Sequence, residues 1–170
     1  MVKKNLVLLG MMAVGKTTLG KIMAKSQSLE FIDIDSNIEK NNAMRIREIF
    51  AKKGEIFFRM EEKKEVLKSL KKNDCVIALG GGAFMNKVIR KAILKNAISI
   101  WLDIKISTLN KRTMWNQKRP LLNKNENKKK LSELYFERKN IYKLANHKIE
   151  CGKLSKDNIV KKITEIYEKY

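Results

Sequence analysis

A chain of 170 residues, 44% hydrophobic and 33% charged, is long enough for one folded domain with a real core, and its composition excludes a disordered chain. No apolar run approaches the roughly 20 residues that a bilayer-spanning helix needs. The formal net charge of +20 rests on lysine, which supplies 31 of the 38 basic residues against seven arginines. So dispersed a lysine excess gives solubility and a general pull on polyanions, but it does not define a nucleic-acid groove.

The opening "MVKKNLVLLG" sets two lysines before a short apolar run. A secretory signal would continue into a small-residue cleavage site. Here the run enters a glycine loop, so Asn5–Gly10 reads as a first strand and the protein as cytoplasmic. Lys16–Ser26 follows with Leu19, Ile22 and Met23 at helical spacing. "EFIDID" reads as a second short strand, which would place Asp33 and Asp35 on one face. Ile46, Ile49 and Phe50 mark a short helix ending before Gly54, and Glu55–Leu70 a longer one. "CVIALGGG" is a buried strand running into three glycines. A helix over Asn86–Lys95, the strand "AISIWLD" and a helix over Ile104–Met114 come next.

Beyond the Arg119–Pro120 turn, Asn123–Lys130 is a solvated loop or helix start, and a helix runs over about Glu126–Leu144. "HKIECG" is the last strand, and the closing helix carries Ile159, Ile163, Ile166 and Tyr170 on one face. Cys75 and Cys151 sit in apolar strands and read as buried free thiols. His147, the single histidine, reads as structural, since a metal site or a serine triad needs partners that the sequence does not offer. Strands alternating with helices imply an α/β domain with a largely parallel sheet, whose ligands bind at the carboxyl ends of the strands.

Gly10–Thr17, "GMMAVGKT", fits G-x-x-x-x-G-K-[ST] between a strand and a helix. In such a loop the backbone N–H groups of Met12, Ala13, Val14 and Gly15 ring phosphate oxygens. Lys16 reaches the β- and γ-phosphates, and the Thr17 hydroxyl ligates magnesium. No N-K-x-D motif follows a later strand, "WLDIK" being the nearest stretch, so adenine rather than guanine is the default base.

Four further features follow in order: "FIDID", "GEIFFRMEE" with Arg59, "LGGGA", and "RPLL" followed by the "RKNIYKLA" that begins at Arg138. Together with the phosphate loop they resemble the shikimate kinase family over about Asn5–Ile166. The resemblance implies a three-layer P-loop NTPase fold, similar to nucleoside-monophosphate kinases, with about five parallel strands. It implies a single domain over 1–170, with a substrate-binding helical segment at about 35–62 and a lid at about 112–125. Its activity would be the ATP- and Mg2+-dependent phosphorylation of shikimate at the 3-hydroxyl, by a monomer that binds no nucleic acid or membrane.

By that resemblance Asp33 helps hold magnesium through water, and Asp35 binds shikimate hydroxyls beside the attacking oxygen. Arg59 and Arg138 hold the shikimate carboxylate, and Gly81 offers its backbone. Arg119 is the lid arginine that reaches the ATP phosphates, and Arg112 packs against adenine. General chemistry agrees, because two arginine forks match a planar carboxylate and an arginine can neutralise a transferring phosphoryl group. The other arginines, Arg45, Arg47 and Arg90, receive no role.

Arg59 could instead simply pair with Glu55 or Glu62 across a helical turn. The chain departs from the family at Ala13 and Val14, where small residues are common in the loop. It also lacks an adenine-side proline, whose place residues 155–157 would take. Trp115, inside the expected lid, reads as packing. Two alternatives stand beside the reading: a kinase of another small hydroxylated acid such as gluconate, and a basic nucleic-acid-binding ATPase. The second would need basic residues clustered on one face with aromatics among them.

Overall fold

The computed structural model describes residues 4–115 and 124–170. Its elements follow one another as β1 (Asn5–Leu9), α1 (Lys16–Ser26), β2 (Glu30–Asp33), α2 (Ile34–Asn42), α3 (Ile46–Ser69), β3 (Cys75–Ala78), a 3-10 turn (Ala83–Met85), α4 (Lys87–Asn96), β4 (Ala97–Asp103), α5 (Ile106–Trp115), α6 (Lys124–Tyr142), β5 (His147–Glu150) and α7 (Lys156–Tyr167). The strands form one sheet in the order β2-β3-β1-β4-β5. Every pairing is parallel, with Leu6 opposite Val76 on one side and Ile98 on the other.

Every residue of β1 and β3 is buried, as continuous apolar strands must be when helices cover both faces. Helix α1 packs on β1, β2 and β3 and against α7, while α4 packs on β4 and against α3. This is the expected three-layer α/β architecture. Among the described residues no helix is long and apolar enough to cross a membrane. A parallel sheet brings all its carboxyl ends to one edge, so the loops after β1, β2, β3 and β4 are neighbours there.

"FIDID" is not one strand. The strand stops at Asp33 and Ile34 already begins α2. The reason is local: the Asp33 carboxylate accepts a hydrogen bond from Ser36 N at 3.1 Å and caps the new helix. Asp33 and Asp35 therefore flank a strand-to-helix turn instead of sharing a strand face.

The break expected at Gly54 is present as a kink inside the helical run of α3, where Gly54 adopts φ 80° and ψ 171°. Only glycine reaches that region without strain. The kink lets Glu55–Ser69 take its own direction. Asn86 caps α4 by accepting from Val88 N and Ile89 N, and Ser155 caps α7 by accepting from Asn158 N.

Helix α7 buries Ile159, Ile163 and Tyr167. Tyr170, expected on the same face, lies past the helix end and is 58% exposed, with its hydroxyl 2.9 Å from His147 Nε2. Both cysteines are buried and unbridged, and burial pushes each thiol up to about 11.

At the amino edge of the sheet Asn5 is buried with both ends of its amide engaged. Its oxygen accepts from Cys75 N at 3.0 Å, and its nitrogen donates to Lys72 O at 2.6 Å. Asn5→Leu leaves the Cys75 N–H buried and unbonded, which costs about 1–3 kcal/mol. Urea unfolding of the variant should show a lower midpoint with an unchanged slope.

Candidate active site

Residues 10–15 lead from β1 into α1. Ala13 (φ 61°) and Gly15 (φ 107°) both take positive φ, which turns the backbone into the concave form of an anion-binding loop. Ala13 sits in the left-handed region, where an L-residue is uncommon, so this departure from small loop residues carries local strain. The α1 N-terminus has no side-chain cap and no acid in its first turn, which leaves it electropositive for a phosphate.

Lys16 donates from Nζ to Gly10 O and Met11 O, each at 2.9 Å, so its ammonium lies across the loop. Thr17 Oγ1 donates to Asp33 Oδ2 at 2.7 Å. A hydroxyl and a carboxylate meeting at the loop fit magnesium, which prefers oxygen donors, keeps most of its waters and takes only one or two protein ligands. Arg112 reaches over from α5, its Nη1 3.2 Å from Val14 O.

The glycine run after β3 forms the floor of the other half. A methyl group added at Gly80 would lie 2.7 Å from Asp35 Oδ1 and 2.8 Å from Glu62 Oε1. At Gly81 it would lie 3.3 Å from Arg138 Nη1 and 3.6 Å from Met12 N of the phosphate loop. At Gly82 it would lie 2.7 Å from Arg59 Nη1. Three consecutive residues without side chains thus admit Asp35, Arg138 and Arg59 from three different helices, a convergence that larger residues would obstruct.

Arg59 makes both of the pairs that helical spacing allows, to Glu62 at 2.8 Å and to Glu55 at 3.2 Å. It does so while lying against Gly82, so pairing and site membership coexist. Burial lowers the Arg59 pKa, but bonds to Glu62 and Glu55 outweigh it and the net shift is upward. Met12, Ala13, Val14, Gly15, Lys16, Thr17, Asp33, Asp35, Arg59, Gly81, Arg112 and Arg138 all lie along this edge of the sheet. Arg119 and most of the 112–125 segment lie outside the described residues, as does the side chain of Trp115.

Three residues of the site were not singled out by sequence pattern. Glu62 is 1% exposed, and its acid neighbours in "MEEKKE" look alike until burial distinguishes them. Tyr142 donates from its hydroxyl to Gly81 O. Arg90 donates to Phe84 O at 2.9 Å and Met85 O at 3.1 Å, holding the 3-10 turn that follows the glycines. Tyr142 and Arg90 reach backbone carbonyls that no motif marks, and helical spacing offers the Glu62–Arg59 pair without showing that Glu62 is buried.

Burial raises the Glu62 pKa, Arg59 pulls it down, and Asp35 pushes it up again. The net shift is upward from 4.5. A carboxyl raised in the fold contributes stability that is full below its unfolded value and is lost as pH rises through the folded one. Glu62→Gln should therefore gain stability relative to the parent between pH 4 and pH 7, read as the change in the difference of their melting temperatures.

Comparison with known proteins agrees with this geometry. A family model for shikimate kinase matches residues 12–168. The shikimate kinase of Sulfurihydrogenibium sp. is 38% identical over 160 residues, covering 94% of this chain and 95% of the relative. That of Bacillus subtilis is 39% identical over 165 residues, covering 96% and 88%. A solved shikimate kinase from Acinetobacter baumannii, in complex with shikimate, aligns with TM-score 0.90 at 30% identity over 96% of this chain and 92% of that one. A shikimate kinase from Aquifex aeolicus aligns with TM-score 0.84 at 30% identity over 96% of each chain. A gluconokinase from Sinorhizobium meliloti, at TM-score 0.61 and 11% identity, shares the fold alone. The chain belongs to the shikimate kinase family: it is a phosphotransferase that takes ATP as co-substrate and an alcohol as acceptor.

Proposed function

We propose that this enzyme transfers the γ-phosphoryl group of ATP to the 3-hydroxyl of shikimate, giving shikimate 3-phosphate and ADP on the route to chorismate and the aromatic amino acids. One observation carries the reading: Asp35, Arg138 and Arg59 converge on the floor at Gly80–Gly82, which abuts the phosphate loop at Met12. Two guanidinium groups suit a ring carboxylate, a carboxylate suits ring hydroxyls, and the bare floor lets a ring lie close to backbone.

In this reading Arg59 and Arg138 clamp the shikimate carboxylate, and the Gly81 backbone supports the ring. Asp35 orients the hydroxyl toward the γ-phosphorus and accepts its proton as the new O–P bond forms. The bond from phosphorus to the β,γ-bridging oxygen breaks, and its electron pair leaves with ADP. The transition state is loose, so alignment contributes more than basicity.

Lys16 exchanges its contacts with the Gly10 and Met11 carbonyls for phosphate oxygens. Thr17, with Asp33 acting through water, would hold magnesium, which would supply charge neutralisation for the phosphates. Arg112 packs against adenine, and residues 155–157 take the place of the family's adenine-side proline. By the family resemblance, the lid expected at 112–125 would bring Arg119, which lies outside the described residues, to the phosphates and exclude water. The enzyme works as a cytoplasmic monomer on small molecules, without nucleic acid.

Incubation with Mg-ATP and a panel including shikimate and gluconate, read as ADP release, tests the substrate. Turnover is expected with shikimate, and turnover with another acid in its place would reject the reading. Asp35→Asn should lose turnover by on the order of 10²–10⁴-fold while keeping its ATP affinity. Near-normal turnover would remove Asp35 from the chemistry.

A further inference from the structure

Tyr142 closes α6, is 1% exposed, and belongs to no part of the chemistry described so far. Its ring tilts against Trp101 of β4, with centroids 5.8 Å apart, so packing alone would be served as well by phenylalanine. The hydroxyl is the feature that packing does not require, since a buried hydroxyl costs free energy unless it is bonded. It donates to the Gly81 carbonyl and rests 3.8 Å from Met11 Sδ. Arg138, one helical turn earlier on α6, lies beside the same hydroxyl. Burial pushes the Tyr142 phenol up to about 12, with Arg138 pulling the other way. One oxygen thus touches the acceptor floor, the phosphate loop and the neighbourhood of a carboxylate-binding arginine.

The geometry has a definite mechanical meaning. A peptide unit is planar and trans, so fixing the Gly81 carbonyl also fixes the Gly82 N–H, which points the opposite way. Gly81 and Gly82 lack side chains to hold their peptide by packing, and glycine backbone is the most permissive of all. The Tyr142 hydroxyl supplies that missing restraint. It ties the floor to α6, the helix that carries Arg138, so floor and arginine keep their mutual distance.

We propose that Tyr142 is a positioning residue of the acceptor site, whose hydroxyl locks the Gly81–Gly82 peptide and holds Arg138 in register with it. This rests on the reading that Gly81 and Arg138 bind shikimate. The test is steady-state kinetics of Tyr142→Phe against the parent enzyme, with shikimate and ATP varied separately. Absence of shikimate turnover by the parent would reject the substrate reading itself. Given parental turnover, Tyr142→Phe should raise the shikimate KM about tenfold, the equivalent of one buried hydrogen bond. Its ATP KM should stay within about twofold, because the α1 end of the loop is untouched.

An unchanged shikimate KM, with or without a lower melting temperature, would reduce Tyr142 to packing and overturn the proposal. Combining Tyr142→Phe with Arg138→Lys should raise the shikimate KM by less than the product of the single effects, and full multiplicativity would overturn the coupling. If Tyr142→Phe does not fold, a ring-fluorinated tyrosine at position 142 keeps the shape and lowers the phenol pKa. Its shikimate KM should then rise with pH in a range where the parent's is flat, and a flat profile would reject the proposal.

Discussion

Everything at this site depends on how closely charged side chains approach the backbone at Gly80–Gly82. Asp35 comes from the start of α2, Arg59 from the kinked half of α3, and Arg138 from the end of α6. Each reaches a different one of three adjacent residues, at distances where a single methyl group would intrude. Charges converge only if something admits them and something holds them. The glycines admit them, Glu62 pairs with Arg59, the Asp33 cap fixes the start of the helix that carries Asp35, and Tyr142 ties the Gly81 carbonyl to the helix that carries Arg138.

The electrostatics follow from the same crowding. Glu62 is buried between Arg59, Arg138 and Asp35, and burial raises its pKa despite two cations nearby. An ion pair with its carboxylate buried and its guanidinium partly exposed recovers the carboxylate's desolvation only through good geometry, so its value lies in orientation more than in stability. Asp33 and Asp35, two like charges close in sequence, are tolerable because the chain changes from strand to helix between them. Asp33 turns to Thr17 and the α2 cap, and Asp35 turns to the glycine floor. The nucleotide half and the acceptor half of the site thus divide at one turn.

Much of this was legible in the chain itself. "GMMAVGKT" between an apolar strand and an amphipathic helix marks its own structure, because its pattern is local: glycines, a lysine and a hydroxyl at fixed offsets. The β3 and β4 strands and the Gly54 break are equally local, resting on apolar runs and on a residue that tolerates positive φ. "FIDID" misled because alternating Ile and Asp suits a strand, whereas the capping bond from Ser36 to Asp33 wins over the next two residues. Tyr170 misled because periodicity continues past the point where α7 stops.

What sequence alone determined is the set of chemical parts and their order: a phosphate loop, a carboxylate pair, bare glycines, and few arginines among many lysines. These depend on residue type and short spacing. What only the tertiary structure decided is which of several similar residues faces the site. Glu62 differs from Glu61 only by burial, Arg90 from Arg47 only by the turn it meets, and Tyr142 from any core tyrosine only by the carbonyl it reaches. The burial of Glu62 against Gly80 and the bonds of Arg90 and Tyr142 join residues of separate elements, so they exist only once the chain has folded around the carboxyl edge of the sheet.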